Sequence, residues 1–131
     1  MAATDGKRIL LIDDDVLILE LFRAVLSAEG YKVSTAKNLA ELDRRLHAFD
    51  ERPDLVLVDV QMPELNGDEI ALMLRTVRNV HVPLFLVSSL DERDLAERAA
   101  DVGATGFISK TAGITTLARK VNEVLKKPKL S

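Results

Sequence analysis

Pro53-Asp54-Leu55-Val56-Leu57-Val58-Asp59-Val60-Gln61-Met62-Pro63-Glu64-Leu65-Asn66-Gly67 is the stretch on which the fold turns. Leu55 to Val58 is an unbroken apolar run entered from Pro53-Asp54. Such a run suggests a strand buried on both faces. It closes on an acid, Asp59, and Pro63 cannot continue a central strand. Asp59 therefore falls at the carboxyl end of a strand, where the chain leaves for a loop. In open α/β sheets, ligands bind outside the carboxyl ends of the strands. An Asp before a loop also commonly caps the next turn. This stretch by itself leaves both roles open.

Working outward, Ile9 to Ile12 is a second apolar run that ends on acid, Asp13-Asp14-Asp15. From Val16 the apolar spacing becomes helical through Leu19, Phe22 and Leu26, with Asp15 as N-cap and Glu29-Gly30 as the stop. Lys32 to Thr35 reads as a short strand. Asn38 with Glu41 resembles a capping box, and Leu39, Leu42 and Leu46 share one helical face. After Pro63, Asn66-Gly67-Asp68-Glu69 caps a helix whose stripe is Ile70, Met73, Leu74 and Val77. Pro83 to Val87 is a third apolar run, closing on Ser88-Ser89. Asp91 to Asp101 predicts a helix with Leu95, Ala99 and Val102 on one side, stopped by Gly103. Gly106 to Ser109 is a fifth strand, followed by Lys110. Ile114 to Lys126 predicts a last helix carrying Leu117, Val121, Val124 and Leu125, with lysines near its end as the helix dipole favours. Strict strand–helix alternation implies a parallel sheet with right-handed crossovers and helices on both faces.

The 131 residues fit one domain, with a core at about 7–126 and tails at 1–6 and 127–131. A net charge of -3 gives no reason to expect nucleic acid as a direct partner. The chain has no Cys, which removes disulfides, thiol nucleophiles and zinc-thiolate sites. No apolar run reaches the length of a membrane span, and the triple Asp after Ile12 is foreign to a signal peptide core. A cytoplasmic setting is the expectation.

The informative feature is what ends each strand. Asp13-Asp14, Asp59, Ser88-Ser89 and Lys110 all fall on one edge of a parallel sheet. Carboxylates brought together repel one another unless a cation joins them. The available ligands are oxygens, so the expected ion is hard, and a few carboxylates with waters suit Mg²⁺. A hard cation, a lysine and a hydroxyl around one carboxylate make a site for a phosphoryl group. Asp59 is then a candidate nucleophile that forms an aspartyl phosphate. Each residue also has a plainer role: Lys110 as a surface ion pair, Ser88 as a strand-end hydroxyl on backbone, Asp13 and Asp14 as helix caps. His47 and His81 have no second ligand at metal spacing and read as surface or satisfied residues.

Four pieces in this order and spacing resemble the receiver domain of two-component response regulators over residues 7 to 126. They are Ile-Leu-Leu-Ile-Asp-Asp-Asp at 9 to 15, Asp-Leu-Val-Leu-Val-Asp-Val-Gln-Met-Pro-Glu-Leu-Asn-Gly at 54 to 67, Pro-Leu-Phe-Leu-Val-Ser-Ser at 83 to 89, and Gly-Ala-Thr-Gly-Phe-Ile-Ser-Lys at 103 to 110. The resemblance implies a flavodoxin-like, doubly wound α/β fold of three layers, with five parallel strands in order 2-1-3-4-5 and five helices. It implies that Asp59 is the phosphoacceptor and that Asp14 binds Mg²⁺ directly and Asp13 through water. By the same resemblance Asp59 joins the metal ligands and Gln61 lends its backbone carbonyl. Ser88 becomes the switch hydroxyl, Lys110 the phosphate-binding lysine and Phe107 the switch aromatic, for which plain core packing is an equal reading. The partners it implies are a histidine kinase or histidine phosphotransfer protein, and a downstream protein target or output domain. The readout face is the fourth helix, fifth strand and fifth helix (α4-β5-α5 in family order), which also admits a homodimer.

The sequence departs from the family at two places. Thr111 stands where Pro usually follows the Lys through a cis bond. A cis bond to a non-proline costs ~2.5–4 kcal/mol, so either that strain is accepted or the loop is rearranged. Phe107 stands for the commoner Tyr and removes a ring hydroxyl. Gln61 and Leu90 lie where receivers tune dephosphorylation. Other functions are weighed against the switch. A phosphatase of the haloacid dehalogenase type needs a second Asp two residues after the nucleophile, where Gln61 cannot serve. A flavodoxin-type cofactor binder needs a phosphate loop where Asp13-Asp14-Asp15 repels phosphate. An unphosphorylated interaction domain and the receiver part of a hybrid histidine kinase are the remaining alternatives.

Overall fold

The computed structural model describes residues 7–47, 53–60, 69–70, 74, 82–89 and 91–125. Five strands form one sheet: β1 (Arg8–Ile12), β2 (Lys32–Ala36), β3 (Leu55–Asp59), β4 (Leu84–Ser88) and β5 (Gly106–Ser109). Their order is β2-β1-β3-β4-β5 and every pairing is parallel, as the alternation requires. Four helices lie among the described residues: α1 (Val16–Ala28), α2 (Leu39–His47), α3 (Glu92–Val102) and α4 (Ile114–Leu125). The helix expected after Gly67 falls mostly outside the described residues, though Glu69, Ile70 and Leu74 are helical.

Strand alternation divides the core into two layers. Leu10, Ile12, Val56 and Val58 pack with Leu42, Ile70, Leu74, Leu95 and Ala99 on one face. Ile9, Leu11, Leu55 and Leu57 pack with Leu19, Phe22, Leu26, Leu117 and Val121 on the other. β3 and β4 are buried at every position, which is why both read as continuous apolar runs rather than alternating ones. Continuing the alternation past Ile12 and Val58 puts Asp13 and Asp59 on the α1 side of the sheet.

The helix ends follow the local rules with two corrections. Asp15 caps α1, accepting from Leu17 N (3.0 Å) and Ile18 N (3.3 Å). Gly103 ends α3 at φ 71°, the left-handed backbone that glycine adopts without strain. Asn38 accepts from Glu41 N at 2.9 Å, but Glu41 reaches back to Lys37 N (3.0 Å) rather than to Asn38, so the box closes one residue early. The other correction concerns Val16, which shares a helical spacing with the core residues Leu19, Phe22 and Leu26. It is 53 % exposed, together with Leu17 at 80 % and Leu21 at 50 %.

The carboxyl-terminal helix is tied to the start of β2 by polar contacts. Tyr31 donates its hydroxyl to Asn122 Oδ1 (2.6 Å), and Asn122 Nδ2 donates to Glu29 Oε1 (2.7 Å). Burial pushes the Tyr31 phenol up to about 12, and the Glu29 carboxylate adds to the rise. The folded state thus favours the neutral phenol. Its contribution to stability is complete below the unfolded phenol value of about 10 and is lost as pH rises through the folded value. Tyr31→Phe should cost about 1 kcal/mol at neutral pH, because Asn122 loses its donor. The variant should also lose less stability than the parent between pH 10 and 12, measured by urea unfolding at each pH.

Candidate functional site

The pocket is assembled by backbone bonds that carry the sheet just past its last residues. Asp13 N donates to Ala36 O (3.1 Å), extending β1 beyond Ile12 along β2. Val60 N donates to Val87 O (3.2 Å), holding β3 to β4 on the far side of Asp59. Both acids are thus fixed at their backbones before any side chain is considered. Asp13 is further oriented through Oδ1, which accepts from Asp15 N at 2.9 Å. One N-terminal turn therefore sets Asp13 and caps α1 with consecutive odd-numbered acids.

Asp13, Asp14 and Asp59 each place one carboxylate oxygen within 4.8 Å of the others. Asp13 is 5 % exposed and Asp59 3 %, while Asp14 faces solvent. Lys110 closes the group. Its Nζ lies 2.9 Å from Asp13 Oδ2 and 3.5 Å from Asp59 Oδ1. Burial works to lower the Lys110 ammonium, but the two carboxylates outweigh it and hold the group above its ordinary value. Lys110 is thus a fixed cation whose charge balances part of the crowded acids. Beneath them lies a cavity of about 10 Å³, lined by Leu11, Leu19, Phe22, Leu57 and Val87 together with Asp13 and Asp59.

The donor set suits a hard cation. All three candidate ligands are carboxylate oxygens lying within 4.8 Å of one another, the donor type that hard cations take. Ser88 is fully buried at the tip of β4, in register with Ser109 of β5. Phe107 is half-buried against the layer that holds Leu95 and Ala99. Lys120 Nζ lies 5.2 Å from its ring centroid and donates to Phe107 O at 3.3 Å. Gln61, Leu90 and His81 lie outside the described residues, as does the side chain of His47.

The departure at Thr111 is resolved by rearrangement. Among the described residues no peptide bond is cis. Lys110–Ala112 forms a single 3-10 turn instead, capped by Ser109. Sequence reasoning singled out Lys110 and missed Ser109, which is 4 % exposed. The available signal was the Ser-x-Thr spacing around the lysine.

Fold and pocket define a doubly wound α/β domain with a lysine-bridged acidic site at its strand tips. The sequence model of the response regulator receiver domain matches residues 9–122. The polar-differentiation response regulator DivK of Brucella anthropi is 30% identical over 121 residues, covering 91% of this chain and 96% of that protein. The chemotaxis protein CheY4 of Vibrio cholerae is similar in structure at a TM-score of 0.79 and 26% identity, covering 91% of this chain and 98% of that one. So is the signal receiver domain of a histidine kinase from Syntrophus aciditrophicus, with a TM-score of 0.79, 28% identity, and coverage of 95% and 94%. The chain belongs to the response regulator receiver family.

Lys110→Met removes the cation and leaves two buried carboxylates facing each other. It should lower the unfolding free energy by roughly 2 kcal/mol, the opening toward solvent keeping the loss below that of a fully buried pair. A urea midpoint unchanged from the parent would show that Lys110 does not balance these acids.

Proposed function

We propose that this receiver is a phosphorelay switch in which Asp59 accepts a phosphoryl group from a phosphohistidine on a histidine kinase or phosphotransfer partner. The observation that carries this reading is the Lys110 ammonium held between Asp13 and Asp59, with Asp14 alongside. A carboxylate oxygen of Asp59 attacks phosphorus, the P–O bond forms, and the P–N bond to imidazole breaks. The imidazole takes its replacement proton from water. Lys110 moves from pairing with Asp59 to pairing with a phosphoryl oxygen, so its positive charge is already in place where negative charge develops. Asp13, Asp14, Asp59 and the Gln61 backbone carbonyl are the groups that would hold Mg²⁺. When bound, the ion supplies positive charge against the equatorial phosphoryl oxygens.

The Ser88 hydroxyl then donates to the new phosphoryl group, and Phe107 repacks against α3. The change is a population shift read by a downstream protein or output domain on the face of α3, β5 and α4. That face would also serve a homodimer. No external substrate is turned over, and the expected setting is cytoplasmic. The same switch could stand as one unit of a longer histidine kinase, as the likeness to the Syntrophus aciditrophicus domain suggests.

The exposed Val16, Leu17 and Leu21 support a protein donor. They form an apolar patch on α1, which begins one residue after Asp15 at the mouth of the pocket. A partner approaching Asp59 from the α1 side would meet this helix end, and a contiguous exposed apolar patch marks a contact surface where single exposed hydrophobics do not.

Acetyl phosphate with Mg²⁺ should add one phosphoryl group to the chain, read as intact mass, and chelation should abolish the addition. Asp59→Asn should remain unmodified; modification that persists in this variant would sink Asp59 as the acceptor. Leu17→Arg separates docking from chemistry. It should slow transfer from a phosphorylated histidine phosphotransfer protein about tenfold, while transfer from acetyl phosphate stays as in the parent.

A further inference from the structure

Lys110 is a long side chain whose ammonium must meet two carboxylates, yet it stands on the first residue beyond an edge strand. Its backbone has no neighbouring strand on one side to steady it. Ser109 and Thr111 flank it and bond to each other across it. Ser109 Oγ and Thr111 Oγ1 are 2.7 Å apart, and Thr111 N donates to Ser109 Oγ at 3.3 Å. Gly113 N donates to Lys110 O at 3.4 Å and closes the same turn from the other end. Ser109 is buried and Thr111 is exposed, so the pair spans from the sheet edge to the surface.

We propose that this Ser109–Thr111 hydroxyl clasp is what positions Lys110 for its role at Asp59, with Ser109 and Thr111 as positioning residues. The inference rests on the reading of Asp59 as phosphoacceptor. Neither hydroxyl touches the carboxylates; each acts through the backbone on either side of Lys110. The clasp needs an N–H at residue 111, which proline lacks. It holds the turn by hydrogen bonding across a trans peptide. A 1 Å misplacement of a group that must meet a transferring phosphoryl costs as much as ~100-fold in rate, so a modest loosening here is kinetically visible.

Ser109→Ala removes both bonds. Thr111→Val keeps the shape and the N–H but removes the hydroxyl. Thr111→Ser keeps both groups. The rate of phosphoryl addition from acetyl phosphate should fall roughly tenfold or more in Ser109→Ala and less in Thr111→Val, and Thr111→Ser should recover the rate lost in Thr111→Val. Mg²⁺ affinity, measured by calorimetry, should not fall, because the lysine is not a metal ligand and loosening it leaves the acids less neutralised. An independent readout is the Lys110 ammonium resonance in nitrogen-labelled protein. The contacts to Asp13 and Asp59 should slow its exchange in the parent, and that slowing should be lost in Ser109→Ala and kept in Thr111→Ser. If the parent takes no phosphoryl group, the functional reading fails, and the resonance still decides whether the clasp positions Lys110. An unchanged resonance in Ser109→Ala overturns the proposal. So does a rate that falls only in step with Mg²⁺ affinity and thermal stability, which is the signature of general loosening.

Discussion

Three carboxylates held together against their own repulsion are the constraint on which this structure depends. A parallel sheet brings the ends of β1 and β3 side by side, since those strands are direct neighbours in register. Asp13 and Asp59 follow the last core residues of each and cannot separate without breaking the backbone bonds that extend the sheet past them. Unbalanced charge of one sign in such a place is costly. Lys110, arriving from β5 two strands away from β3, offsets part of it. The remaining negative charge is what makes the site receptive to a divalent cation.

The apolar layers serve this arrangement. β3 and β4 are buried on both faces, so their register is set by packing on each side, and a one-residue slip would exchange the residues of the two layers and spoil the fit of both. The position of Asp59 therefore inherits the rigidity of the sheet centre. Lys110 has no such inheritance, because β5 is an edge strand with one neighbour. The edge position explains why local hydrogen bonds gather there. Ser109, Thr111 and Gly113 close a turn around Lys110, while Lys120 covers the outward carbonyl of Phe107. Lys120 reaches this edge from α4, and a charge over an edge strand discourages pairing with another chain.

Much of this was legible in residue order. The apolar runs ending on Asp13, Asp59, Ser88 and Lys110 identify strand tips, and alternation with helices makes the sheet parallel, so all four had to share an edge. Local caps were readable for the same reason: Asp15 and Gly103 act on groups within a few residues of themselves. Val16 was not readable. Its spacing with Leu19 and Leu26 fits a core stripe, but α1 is apolar around most of its first two turns, and periodicity cannot choose a buried face when several qualify. Nor could Thr111 be resolved from sequence. The missing proline allowed either a strained cis bond or a new turn, and the choice depended on whether Ser109 lay where its hydroxyl could accept from residue 111.

The sequence by itself determined the element order, the parallel sheet and the identity of the charged groups at its edge, because these depend on local propensity and on rules of chain connection. Tertiary structure decided the distances: the 2.9 Å and 3.5 Å reach of Lys110 to two acids, and the convergence of Asp13, Asp14 and Asp59 within 4.8 Å. It also decided which hydrophobics of α1 stayed in solvent. Those outcomes arise from packing between segments distant along the chain, and no local pattern of residues encodes a separation across a sheet.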